Sequence, residues 1–177
     1  MHNIFKNTEY RMLELFMEEP HRDFGLREMA RLLKKSHATI LNHIGKLEKS
    51  RLIAVNKSTL YPTYHANASN EYYLLYKKRQ IVFRLLESGI VDYIWNKTLA
   101  SAIILYGSCA KGAYSKGSDI DLFVEAKEQA LDLGAYEKKL GMPIHLVFEP
   151  NIRDLPNKGL LNNLVNGAVL YGFLKIA

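Results

Sequence analysis

The chain has 177 residues, 48% of them hydrophobic and 11% aromatic, which is enough apolar matter for a packed core and too much for a disordered chain. A single cysteine, Cys109, excludes an intramolecular disulfide and a cysteine-based zinc site and points to a reducing, intracellular setting. The formal charge of +6 is unevenly spread: Met1 to Lys97 holds 16 basic and 10 acidic residues, whereas Thr98 to Ala177 holds 8 of each. The excess narrows to His21 to Leu60, with nine basic residues (Arg22, Arg27, Arg31, Lys34, Lys35, Lys46, Lys49, Arg51, Lys57) against Asp23, Glu28 and Glu48. Such a concentration is the footprint expected of a phosphate-backbone binder, and the neutral remainder implies a separate task. Met1 to Tyr10 shows no apolar stretch behind a basic start, and the longest apolar run, around Leu99 to Tyr106, is too short to cross a bilayer. A cytoplasmic protein without membrane association is the expectation.

In chain order, Tyr10, Leu13, Phe16 and Met17 recur at helical spacing until Pro20. A second helix carries Leu26, Met29, Ala30 and Leu33 on one face, with Gly25 at its start and Glu28 in its first turn. After a short break at Lys34 to Ser36, a third helix over about His37 to Lys49 turns Ile40, Leu41, Ile44 and Leu47 inward. It leaves His37, Thr39, Asn42, His43 and Lys46 outward. Leu52 to Val55 and Leu60 to Ala66 read as strands joined by the polar turn Asn56 to Thr59.

Residues 7 to 67, and above all REMARLLKKSHATILNHIGKLEKSRLI at Arg27 to Ile53, resemble the winged helix-turn-helix domains of microbial transcription regulators. The resemblance implies that Ser36, His37, Thr39, Asn42, His43 and Lys46 approach the major groove of double-stranded DNA, while Arg51 and Lys57 contact phosphates. The alternative is a solvated helix surface on a protein-docking or dimerisation platform. From Asn70 to Asn96 the chain is rich in aliphatic and aromatic residues in more than one helical stripe, with a weak point at Ser88 and Gly89. One stripe suits the preceding module and another suits a second subunit, so a homodimer is expected.

From Ser101 onward strands and helices alternate: strand Ser101 to Tyr106, a small-residue loop and helix start over Gly107 to Ser118, strand Asp119 to Val124, helix Lys127 to Leu140, strand Ile144 to Phe148, helix near Leu160 to Val165, and a sheet extension at Val169 and Leu170. Asp119 and Asp121, two apart on a strand, project from one face with Cα atoms roughly 7 Å apart. Two adjacent carboxylates repel unless they share a hard cation such as Mg²⁺, which is held by one or two carboxylates and substrate phosphates. Gly107 and Ser108, directly after a strand, let the backbone approach a phosphate, and Lys111 adds a cation.

Gly107-Ser108, ten residues, then Asp119-x-Asp121 resembles the signature of the polymerase-beta-type nucleotidyltransferase superfamily, and the chain is similar to its minimal branch over about residues 98 to 175. The resemblance implies that Gly107 and Ser108, with Lys111 and Ser118 alongside, bind a nucleoside triphosphate. It assigns Mg²⁺ to Asp119 and Asp121 for in-line attack at the α-phosphate, with two metals roughly 4 Å apart. It also implies an adenylyl group moved from ATP to a protein or small-molecule hydroxyl, a toxin-like protein partner among the acceptors. Active members carry a third carboxylate on the neighbouring strand, and here that position is His145, a base or a surface histidine. Two readings stay open: a DNA-binding nucleotidyltransferase, or a transcription regulator whose nucleotidyltransferase domain is weak or inactive and senses a nucleotide or docks a partner. The expected fold is α+β in two domains. A winged helix-turn-helix spans 1–67, a helical connector 68–97, and a small α/β nucleotidyltransferase-like domain with a mixed sheet 98–177.

Overall fold

A computed structural model describes residues 7–58 and 60–175 and divides the chain into two compact units, Met1–Leu74 and Leu75–Ala177. The first unit opens with α1 (Thr8–Glu18), capped by the Asn7 side chain, which accepts from the Tyr10 N–H at 2.7 Å. There follow β1 (Phe24–Gly25), α2 (Leu26–Leu33), α3 (His37–Lys49), β2 (Ile53–Asn56) and β3 (Thr63–Ala66). The three strands form an antiparallel sheet in the order β1-β3-β2. Met12, Phe16, Phe24, Met29, Ile40 and Ile44 meet in a core at most 1% exposed, with the Phe16 and Phe24 rings edge to face at 5.3 Å. Truncating Phe16 to alanine there costs about 3–5 kcal/mol. Tyr73 closes the core and spends its hydroxyl on the Phe16 carbonyl at 2.9 Å, and burial raises its phenol well above the ordinary range.

Three details differ from the sequence expectation, and a fourth position is not described. Leu41 is 51% exposed, because the inward stripe of α3 is Ile40, Ile44 and Leu47 and Leu41 falls one step off it. The strand expected from Leu60 begins only at Thr63, since Pro62 has no N–H to offer a ladder, and Leu60 and Tyr61 stand exposed. The two-residue β1, pairing Phe24 with Tyr64, is too short to leave a period in the sequence. Thr59, assigned to the hairpin turn, lies outside the described residues.

Helix α4 (Glu71–Ser88) contains the division between the units. It ends where expected: Gly89 takes φ +84°, and the Ser88 hydroxyl donates to the Leu85 carbonyl while accepting from the Ile90 N–H. The second unit continues with α5 (Ile90–Thr98), β4 (Ala102–Tyr106), α6 (Gly107–Lys111), β5 (Ile120–Val124), α7 (Gly134–Leu140), β6 (Ile144–Phe148), α8 (Lys158–Val165) and β7 (Ala168–Gly172). Its sheet runs β6-β5-β4-β7, parallel between β5 and β6 and antiparallel elsewhere, so the mixed sheet expected from the sequence is present. Ile81, Leu85, Ile90 and Ile94 cover one face. The other carries a smaller cluster of Ile104, Phe123, Ile152 and Leu164. The helix expected from Lys127 begins only at Gly134. The Asp132 carboxylate accepts the Gly134 N–H at 3.1 Å, a local bond that competes with helical continuation, and Lys127 to Ala130 are exposed.

Candidate functional site

Strand β4 ends at Tyr106, and the chain turns sharply through Gly107 into α6. Gly107 holds φ +69°, and a Cβ placed there would sit 2.3 Å from the Asp121 Oδ2. Glycine is therefore required for two reasons, the left-handed backbone and the seat of a carboxylate. Register does the rest: Asp121 lies opposite Tyr106 on β4 and opposite His145 on β6. Asp119 precedes β5, its carbonyl accepting from the buried Cys109 Sγ at 3.3 Å, and its Oδ2 is 4.0 Å from His145 Nε2. The chain thus brings Gly107, Asp119, Asp121 and His145 together at the end of the sheet, with Ser108 in the first turn of α6.

Burial pushes the Asp121 carboxyl up, the His145 imidazole pulls it down, and the Asp119 charge pushes it up again. Cys109, also buried, has its thiol raised to about 11 and acts as an anchor, not a nucleophile. No third carboxylate joins the pair among the described residues. Glu125 shares the side of β5 that carries Asp121, but its Oε1 accepts the Ile152 N–H at 3.1 Å and its Oε2 the Ser101 hydroxyl at 2.6 Å. Glu149 lies just beyond β6, whose ladder to β5 runs from Ile120–Ile144 to Val124–Phe148.

Two expected nucleotide ligands stand differently. Lys111 is the exposed last residue of α6 and forms no ion pair among the described residues. The Ser118 hydroxyl accepts the Ser115 N–H at 3.0 Å and shapes the loop before Asp119. Sequence reasoning missed Tyr106, half-buried opposite Asp121, whose phenol is raised by burial and by that carboxylate. Its place at the end of β4, directly before Gly107, was the available signal. It also missed Lys77, 2% exposed, which donates to the Tyr114 carbonyl and lies 4.4 Å from the Tyr114 ring centroid.

In the first unit, Ser36 caps α3, its hydroxyl accepting the Thr39 N–H at 3.2 Å and pairing with the Thr39 hydroxyl at 2.8 Å. His37, Asn42, Arg51 and Lys57 are exposed, and Arg51 takes φ +57°. His43 and Lys46 both reach back to α1. His43 Nδ1 lies 3.0 Å from Glu9 Oε1, and Lys46 Nζ donates to the same oxygen at 2.6 Å. These bonds, Lys46's first, lower the Glu9 carboxyl.

A glycine corner seating one of two adjacent carboxylates at the end of a mixed sheet is suited to group transfer on phosphorylated substrates. Residues 90–171, just under half of the chain, match the family model described as the nucleotidyltransferase domain. The matched span contains Gly107, Ser108, Asp119, Asp121 and His145, and it supports nucleotidyl transfer as the general activity. No curated protein matches the chain.

Proposed function

We propose that the protein is a DNA-binding nucleotidyltransferase that moves a nucleoside monophosphate, AMP from ATP, onto a hydroxyl of a protein or small molecule. The observation that carries the reading is the seat for Asp121 at Gly107, inside the span that matches the nucleotidyltransferase domain. The donor set fits one Mg²⁺: two hard carboxylates, one half-buried and disfavoured as an anion by burial and by its neighbour. Held by Asp119 and Asp121, that ion supplies charge neutralisation for the triphosphate. Ser108 and the Gly107 backbone hold the phosphate tail. The acceptor oxygen bonds to the α-phosphorus, the bond to the β-phosphate oxygen breaks, and pyrophosphate leaves. His145 Nε2 takes the acceptor's proton, and Asp119, 4.0 Å away, stabilises the imidazolium.

In the first unit, the order α1-β1-α2-α3-β2-β3 and the β1-β3-β2 sheet support a winged helix with α3 as its reading helix. Its partner is double-stranded DNA, with a homodimer placing two reading helices on successive half-sites. No described helix is long and apolar enough to cross a membrane. The setting we propose is cytoplasmic.

A second reading is favoured by one observation: the position opposite Asp121 on β6 is a histidine, and imidazole is a poor Mg²⁺ ligand. On that reading the protein is a transcription regulator whose nucleotidyltransferase domain binds a nucleotide without turnover. Incubation with α-labelled ATP, Mg²⁺ and host-cell lysate separates the two. The first reading gives a labelled acceptor, with labelling reduced on the order of a hundredfold in His145→Ala. Labelling that is absent from the parent and gained in His145→Asp overturns it in favour of the second.

A further inference from the structure

A cavity of about 530 Å³ opens in the first unit, beside the proposed reading helix, and His37 is the one residue of the expected DNA-binding set among its lining. It is bounded by the start of α2, the first residue of α3 and the return of the hairpin into β3. Its volume lies within the range of small-molecule sites, roughly 300–1,000 Å³, and is several times what one phosphate group fills. Leu26, Tyr61 and Pro62 give it an apolar wall, so the occupant needs an apolar body.

The polar lining sets the sign of the charge. Glu28 is already neutralised, its Oε1 accepting from Arg22 at 2.5 Å. The side chains of Arg27 and His37, by contrast, form no hydrogen bond or ion pair among the described residues. An arginine so placed beside a concave apolar wall is suited to two parallel bonds to a carboxylate whose ring or chain lies against the wall.

We infer that this cavity is a binding site for an organic carboxylate with an aryl or acyl body. A duplex phosphate is the competing occupant for the same guanidinium. The apolar wall favours the carboxylate, because a phosphodiester carries nothing to cover Leu26, Tyr61 and Pro62.

The test uses the full chain without DNA or nucleotide, so its outcome is independent of the proposed transfer and DNA reading. Titration with 2-naphthoate by calorimetry is expected to show one saturable site. Affinity falls about tenfold in Arg27→Gln and by a similar factor when 2-naphthalenemethanol replaces the acid, while Lys158→Gln, at an exposed lysine of the second unit, leaves it unchanged. Tyr61→Ala weakens it as well, and a thermal melt matching the parent confirms that each surface variant is folded. The inference is overturned by the absence of saturable binding or by equal affinity in Arg27→Gln. Displacement of the probe by inorganic phosphate at equal concentration also overturns it, since the site would then recognise the anion alone.

Discussion

The two units use charge in opposite ways. In the first, the ionic groups sit outside an apolar core, and some pair with one another there: Arg22 with Glu19 and Glu28, His43 and Lys46 with Glu9, His65 with Asp23. In the second, with no net charge in its sequence from Thr98 onward, Lys77 and Gln80 are buried and Asp121 is half-buried against a glycine. Surface charges act through a summed field, so each is worth little and salt screens it. Buried groups act through position, and displacement by an ångström is costly. The first unit should therefore tolerate single substitutions that the second does not.

The largest break is expected at Gly107. Gly107→Ala should leave a folded protein, since the clashing Asp121 Oδ2 ends a short side chain that can rotate away, at a cost of about 1–2 kcal/mol for the left-handed backbone. Nucleotidyl transfer should fall on the order of a hundredfold as Asp121 loses its seat. Unaltered kinetics in that variant would show that the corner is merely a turn.

Lys77 sharpens the comparison from the other side. Burial lowers its ammonium from 10.5 to about 8, so the folded state binds the proton less well than the unfolded chain. The penalty is complete below pH 8 and relieved as pH rises toward 10.5. Lys77→Met removes it, and the melting temperature of the variant relative to the parent should decline between pH 7 and pH 10, on the order of 5 °C. A pH-independent difference would mean that Lys77 holds its proton as well in the fold as in the unfolded chain.

Smaller effects are expected on the basic face. Removing a cation that neutralises one phosphate should reduce the salt slope of duplex affinity by about 1. Arg51 forms no ion pair among the described residues, whereas Lys46 is already bonded to Glu9. Arg51→Gln should therefore flatten the slope more than Lys46→Gln in a filter-binding titration, and the reverse order would contradict the pairing.

What the sequence revealed follows the same division. The carboxylate pair, its spacing from Gly107-Ser108 and the helix break at Ser88-Gly89 were legible, because each depends on local chain geometry. The limits of β3 and α7 were not, since Pro62 and Asp132 act through hydrogen bonds that periodicity does not record. Nor was the Glu9 clamp on His43 and Lys46, which joins residues 34 and 37 positions apart. Nothing in the sequence around Lys77 marks it for burial, and only tertiary packing buries it.

The central claim is that Asp119 and Asp121 form a cation-dependent nucleotide site. Calorimetric titration of Mg²⁺-ATP into the parent and into the Asp119→Asn, Asp121→Asn double variant tests it most directly. The parent should bind and the double variant should not. The variant should also melt higher at pH 7, because the raised Asp121 carboxyl costs folding stability above its ordinary range, an advantage that fades as pH falls through that range. Equal binding by both proteins, or binding by the parent that survives chelation of Mg²⁺, would contradict the account.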